Sequence, residues 1–201
     1  MKILGIGNAI VDVICKVDEN FLKRNSLTKS TMKLVEENEF KNLLSNLKIQ
    51  ETIAGGSVAN SMVGLAQLGN SVGFIGKVSD DNLGKQFKES LAEHGLNDLT
   101  VFDSGDDQTG LCAIFITPDG ERTMNTYLGA GSQLSMGDLN EESIKKCEIL
   151  YMEGYLWDRL PSKEAFVYAS TINKLSGGKN ALSLSDVFCV EAHRDSFIDL
   201  I

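Results

Sequence analysis

The sequence predicts an α/β protein built on a parallel sheet. Three observations predict it. Short apolar, β-rich runs alternate with helical patterns along the chain, and one alternating hairpin interrupts that rhythm. The length of 201 residues suits one large domain, or a domain with a small appendage.

Ile3 to Ile6 reads as a first strand, short and apolar, ending at Gly7. Glu36 to Leu47 has the pattern of a helix, and Ser57 to Leu68 has a clearer one: Val58, Met62, Leu65 and Ala66 share a face and Gly69 supplies a stop. Val72 to Ile75 reads as a buried strand. Asp81 is placed to cap a helix whose Leu83, Phe87 and Leu91 recur every fourth residue. Leu111 to Thr117 and Arg122 to Leu128 alternate as strands around Pro118-Asp119-Gly120, where proline presets the bend and glycine accepts positive φ. Such a hairpin can cover a site or build a small second sheet. Asp138 followed by Glu141 resembles a capping box opening another helix. Ile149 to Met152 and Ala181 to Leu184 read as short buried strands, with a helix from Ser162 to Leu175 between them. Glu191 to Ile201 reads as an amphipathic helix with Phe197, Leu200 and Ile201 apolar; a strand is expected to follow, so the sequence reads as cut short.

Hydrophobic residues at 42% and charged residues at 23% are ordinary globular usage, which excludes low-complexity disorder, collagen and a disulfide miniprotein. Lys and Arg total 19 against 28 Asp and Glu, a formal charge of −9. That field repels phosphate backbones and anionic lipid, so neither nucleic acid nor a membrane surface is expected as partner. Any bound anion must then be held by local backbone donors. Acidic pairs such as Glu36-Glu37 and Glu141-Glu142 read as solvated helix starts favoured by the macrodipole. Cys15, Cys112, Cys147 and Cys189 lack a Cys-x-x-Cys spacing, and three of them sit in or beside apolar runs, as free thiols acting as small hydrophobes do. The start is too short in apolar residues for a signal peptide, and no run of about 18 apolar residues spans a bilayer. A reduced, cytoplasmic protein is expected.

Several motifs fail. Gly5-x-Gly7 follows a strand, but Ile10 occupies the third glycine position of a dinucleotide fingerprint. Gly76-Lys77 and Gly84-Lys85 lack the earlier glycine and the following hydroxyl of a P-loop. Gly55-Gly56-Ser57-Val58-Ala59 falls one residue short of a nucleophile elbow. Cys189 and His193 lie four apart without further metal ligands, and read as a buried thiol and a surface histidine.

Ala54 to Ser61 is different. Gly55 and Gly56 let backbone approach a ligand closely, and the helix that follows offers unpaired N–H donors at its start. Asn60 in the first turn presents a donor and an acceptor, suited to a hydroxyl-rich ligand. Asp12, a few residues beyond the first strand, is a carboxylate able to grip two vicinal hydroxyls. Each piece also has a plain reading, a strand-to-helix turn for the glycines and turn formation for Asn8 and Asp12.

Together these residues resemble the ribokinase-like (PfkB) family of carbohydrate and nucleoside kinases. The resemblance rests on Gly5-x-Gly-Asn8-x-x-x-Asp12, Gly55-Gly56-Ser57-x-x-Asn60-Ser61, the run from Gly64 to Gly76, Thr109-Gly110, Pro118-Asp119-Gly120-Glu121-Arg122 and Glu153-Gly154, in family order across essentially the whole chain. It implies a Rossmann-like parallel sheet flanked by helices with a small β-sheet lid, and transfer of the γ-phosphoryl of ATP, with Mg²⁺, to a hydroxymethyl group. It places Asn8, Asp12, Gly55, Gly56, Ser57, Asn60 and Glu153 at the sugar or nucleoside. The lid would comprise strands at about 10–17, 31–35 and 109–128, carrying Thr109, Gly110, Arg122 and Asn125. Arg122 is then either a charge reaching the substrate or phosphates, or a hairpin surface residue. Ser185 and Asp186 would lie near the phosphates and metal.

Val58 and Met62 stand where the family signature has small residues, and Asn8 before Asp12 with the Gly-Gly-Ser-x-x-Asn-Ser form looks more like the adenosine-kinase branch. The family's Asn-x-x-Glu motif and its Gly-Ala-Gly-Asp stretch, with the catalytic aspartate, are absent from 1–201 and expected beyond Ile201. Residues 1–201 therefore read as the N-terminal portion of a ribokinase-like kinase domain, holding the acceptor half of the apparatus, with the C-terminal ATP-binding part missing. The alternative is a non-catalytic sugar- or nucleoside-binding module, or a homodimer formed through the lid.

Overall fold

Four residues of continuous apolar character, Ile3–Ile6, form β1 at the middle of the principal sheet, where only a strand covered on both faces would be this apolar. The computed structural model describes residues 1–200. In chain order β1 is followed by β2 (Ile10–Lys16), α1 (Glu19–Arg24), β3 (Met32–Leu34), α2 (Glu37–Leu44), β4 (Ile49–Gly55), α3 (Ser57–Gln67) and β5 (Val72–Ile75). Then come β6 (Lys77–Ser79), α4 (Asn82–Glu93), β7 (Asn97–Asp98), β8 (Val101–Asp103), β9 (Gly110–Ile116) and β10 (Arg122–Tyr127). The chain closes with α5 (Glu141–Lys146), β11 (Ile149–Glu153), α6 (Leu160–Leu175), β12 (Lys179–Ser183) and α7 (Val187–Leu200).

The principal sheet is parallel throughout, in the order β12-β11-β1-β5-β7. Leu4, Ile6, Leu150 and Met152 face a core closed by Ile144 of α5, Phe166 and Ala169 of α6, and Phe197 of α7. Val72 and Phe74 face a second core with Val58 and Met62 of α3 and Phe87 and Leu91 of α4. A fully buried phenylalanine such as Phe87 contributes about 1.5–3 kcal/mol.

A second sheet is mixed, in the order β3-β10-β9-β2-β4. β9 and β10 are the expected antiparallel hairpin, in register from Arg122 opposite Ile116 to Tyr127 opposite Leu111. β2 lies parallel to β9, and β3 parallel to β10. One face carries Val13, Cys15, Ala113 and Phe115, packed on Leu22 of α1 and on Phe40 and Leu43 of α2. The segments expected at 10–17, 31–35 and 109–128 hold β2, β3 and the hairpin. A short parallel pair, β6 with β8, stands apart from both sheets.

Several boundaries differ from the sequence reading. The helix expected over 36–47 ends at Leu44, because Ile49 is drawn into β4 at the edge of the mixed sheet. Polar Gln50, Glu51 and Thr52 hid that strand, and α1, β6, β7 and β8 were too short to carry a period. Asp138 does not cap α5. Asn140 does, accepting the Ser143 N–H at 2.9 Å, while Asp138 closes its own short turn with Ser135 and pairs with Lys77 at 3.1 Å. The strand expected over 181–184 is shifted to Lys179–Ser183 by pairing with β11, and β11 itself runs on to Glu153. The last helix starts at Val187, with the Asp186 carbonyl accepting the Cys189 N–H at 3.1 Å; Ile201, assigned to it from sequence, lies outside the described residues. His193 is half-buried and bonded to Asp158, not a free surface histidine.

Candidate functional site

The parallel strands β1 and β11 are neighbours, so their carboxyl ends deliver Asn8 and Glu153 to one place, where an open α/β sheet characteristically binds its ligand. After Gly7 the chain does not open a helix, as a dinucleotide site would require; it crosses into β2 of the mixed sheet and brings Asp12 over the same spot. β4 returns antiparallel to β2 with Gly55 opposite Ile10, and then α3 begins.

Gly56 has φ +101°, and a Cβ there would overlap the Asn8 carbonyl oxygen, so only glycine allows β4 to turn into α3 this close to β1. A Cβ on Gly55 would overlap the Asp12 carboxyl group. The two glycines thus act differently: Gly56 makes the turn, and Gly55 makes room for a carboxylate. Gly56 offers no capping side chain at the start of α3, and the Ser57 N–H is taken instead by the Glu153 carboxylate.

Asn8, Asp12, Gly56, Ser57, Asn60, Arg122 and Glu153 line one cavity of about 280 Å³ between the two sheets. Glu153 is 1% exposed and accepts the Asn8 N–H at 2.5 Å and the Ser57 hydroxyl, tying β11, β1 and α3 together under the cavity. Burial pushes its carboxyl above the usual range, against the opposing pull of those hydrogen bonds. Burial also raises Asp12, from 3.8 to about 6, while the Arg122 charge pulls it down. The Asn8 side-chain oxygen is buried with no hydrogen-bond partner, beside Gly131. The Asp12 carboxylate and the Asn8 and Asn60 amides around one cavity supply both acceptors and donors, which is what vicinal hydroxyls require.

Of the residues expected on the lid or near the phosphates, only Arg122 lines this cavity. Thr109 is fully buried and donates its N–H and hydroxyl to Asp81 at 2.9 and 2.8 Å, joining the start of β9 to the cap of α4. Gly110 sits against the Leu128 carbonyl and the Ile10 side chain. Asn125 alternates with Met124 and Thr126, and so points to the opposite face of its strand, in the row of Ala113. Ser185 packs beside Gly154 and accepts the Tyr155 N–H at 3.2 Å, and the Asp186 carboxylate faces the Tyr155 hydroxyl.

Sequence reasoning missed the apolar part of the lining, Leu34, Cys112, Ile114, Met124, Tyr155 and Phe188 among it. Strand alternation grouped Cys112 with Ile114 and Met124 with Thr126, but only the register shows that their face is Asp12's face. The Cys112 thiol, raised by burial to about 12, is not a nucleophile. Among the described residues no group of three or more His, Cys, Asp or Glu side chains could hold a metal ion, so these residues do not by themselves make a magnesium site. No helix among them is long and apolar enough to cross a membrane.

The chain matches known proteins over the same architecture. The adenosine kinase of Sinorhizobium meliloti superposes with TM-score 0.94 at 38% identity, over 99% of this chain and 61% of that one. A probable sugar kinase from Rhizobium etli CFN 42 gives TM-score 0.94 at 36% identity, over 99% and 60%. Among curated relatives, a 5-dehydro-2-deoxygluconokinase of Clostridium perfringens is 34% identical over 61% of the chain, and an adenosine kinase of Schizophyllum commune 29% identical over 77%. The chain spans 37% and 46% of the lengths of those two relatives. The model of the pfkB family carbohydrate kinases matches residues 3–183. A match over that much of the sequence, on a fold shared with solved kinases, shows that the chain belongs to the PfkB family of carbohydrate kinases.

Proposed function

We propose that the chain forms the acceptor-binding part of an ATP-dependent kinase that phosphorylates a hydroxymethyl group on a sugar or nucleoside. The observation that carries this reading is the room Gly55 leaves for the Asp12 carboxylate beside Asn8, Asn60 and the start of α3. Ionised Asp12 accepts from two neighbouring hydroxyls, and Asn60 donates and accepts at a third. Glu153 holds Asn8 and Ser57 in place from below, and the mixed sheet acts as the lid that excludes water. Phosphoryl transfer from ATP needs magnesium for charge stabilisation and a base for the hydroxyl proton. By family resemblance the base is the aspartate of a Gly-Ala-Gly-Asp stretch, and no step of transfer is assigned to the described residues. Four free, buried cysteines accord with a reducing, cytoplasmic setting.

The test has two parts. Calorimetric titration of the chain with adenosine, ribose and fructose should show binding of at least one, lost in Asp12→Ala. A phosphotransfer assay with ATP and Mg²⁺ on the full gene product should then turn over the molecule that binds. Retained affinity in Asp12→Ala removes that residue from the site, and absence of turnover on all three removes the kinase reading.

A second reading, a binding module that pairs through its lid, has one observation in its favour. Ile49 and Ile53 stand 48% and 40% exposed on β4, an edge strand. Sedimentation of the chain decides it: a monomer at all concentrations removes this reading.

A further inference from the structure

The cavity has two unlike ends, and the register of the mixed sheet sets how far apart they are. One row of residues crosses the sheet above the cavity: Asp12 of β2 pairs with Cys112 of β9, Cys112 with Thr126 of β10, and Thr126 with Leu34 of β3. The row runs from a carboxylate to a leucine over three strand spacings, about 14 Å. The adjoining row, Ile14, Ile114, Met124 and Met32, is apolar throughout. Below the Leu34 end the floor is aromatic, with Tyr155 and Phe188 rings 5.9 Å apart.

The polar groups at this apolar end are already engaged. The Thr126 hydroxyl donates to the Cys112 sulfur at 3.3 Å, and the Tyr155 hydroxyl faces Asp186. Arg122 keeps free donors, but it stands exposed at the rim, near the hairpin turn. A single sugar ring held by Asp12 and Asn60 would leave Leu34, Met124, Tyr155 and Phe188 wet. A polyol carrying a flat, apolar-faced ring would fill both ends.

We propose, building on the acceptor-site reading above, that the acceptor is a nucleoside-like molecule whose heterocycle is selected by shape and stacking, not by hydrogen bonds to its edge. An apolar enclosure of this kind discriminates weakly among rings of one size, whereas a site built to hydrogen-bond an edge rejects the wrong one by about 10⁴-fold or more. Cleft and ligand are matched at the ring faces, where Tyr155 and Phe188 lie, and at the methyl and thioether groups of Leu34 and Met124.

The experiment is titration of the chain with adenosine, inosine, purine riboside, ribose and fructose. The three nucleosides are expected within about tenfold of one another, and the two free sugars at least about a hundredfold weaker. Leu34→Ala, at a position 39% exposed and so tolerant of truncation, should weaken adenosine about tenfold and leave ribose unchanged. Ribose or fructose binding as tightly as adenosine overturns this inference and leaves the polyol reading standing. Inosine or purine riboside falling more than about a hundredfold below adenosine also overturns it, by showing that the edge is read. If none of the five binds, the acceptor-site reading fails and this inference fails with it.

Discussion

The principal sheet and the mixed sheet both carry apolar side chains on their strands, yet they use them for opposite ends. In β5 all four residues are buried, because helices cover both faces. In β2 buried and half-buried residues alternate: Val11, Val13 and Cys15 are inside, while Ile10, Asp12 and Ile14 are half-buried, and two of these line the cavity. Apolar surface on the principal sheet is already spent on stability. Apolar surface on the cavity face of the mixed sheet is left uncovered, free to be covered by a ligand. The difference teaches that hydrophobicity in this chain marks core or site according to which sheet face bears it.

The sharpest way to break this contrast is to truncate one residue from each kind of face. Phe87 is fully buried and packs at 5.9 Å from Phe74. Phe87→Ala should cost about 3–5 kcal/mol in denaturant unfolding, and the residual folded protein should bind acceptor as before. Met124→Ala, on the cavity face, should change stability by less than about 1 kcal/mol and weaken acceptor binding about tenfold. If Met124→Ala destabilises as Phe87→Ala does, the cavity face is core and the contrast is false.

Asp12 tests the same division electrostatically. Its carboxyl holds a proton more tightly when folded, up to about 6 from an ordinary 3.8, chiefly through burial. A raised carboxylate contributes stability that is full below the ordinary value and lost as pH rises through the folded one. The gap between those values is worth about 3 kcal/mol. Asp12→Asn should therefore gain on the parent protein by about that amount between about pH 4 and pH 8. The same substitution should abolish acceptor binding, while binding by the parent should weaken tenfold for each pH unit below about 6. Parallel unfolding curves and titrations across pH check both; a constant stability difference means that Asp12 is not strained by its place on the cavity face of the mixed sheet.

The legibility of these two sheets in the sequence differed for the same physical reason. Strands buried on both faces are continuous apolar runs, so Ile3–Ile6 and Val72–Ile75 were readable to the residue. The hairpin was readable because Pro118-Asp119-Gly120 fixes its own turn, with Gly120 at φ +87°. Of the site, the backbone-making residues were visible: Gly55 and Gly56, Asn60, Asp12 and Glu153 carry their chemistry in their type. What could not be read was which face each mixed-sheet strand turns inward, since alternation has two equal phases until the register is known. Asn125 was assigned to the lid and lies on β10, but its face is that of Ala113, and Met124 beside it, on the cavity face, was overlooked. Thr109 was placed in the lid from sequence, but nothing local showed that Asp81 holds it at the cap of α4.

The smallest expected effect asks whether the hairpin is a fixed roof or one that rearranges over the acceptor. Gly120 lies at the tip, and a Cβ there would meet nothing within 4 Å, so alanine brings only the strain of a left-handed backbone, about 1–2 kcal/mol. Residues 118–121 line none of the cavity. A fixed roof transmits little of that strain to Met124, Thr126 or Arg122, because the antiparallel ladder from Arg122 to Tyr127 holds them and β2 and β3 brace it on either side. Gly120→Ala should accordingly lower the melting temperature slightly and leave acceptor affinity within about twofold of the parent. Should affinity fall about tenfold while the melting shift stays small, the tip must move when the acceptor enters. The mixed sheet would then differ from the principal one in motion as well as in what its apolar face is for.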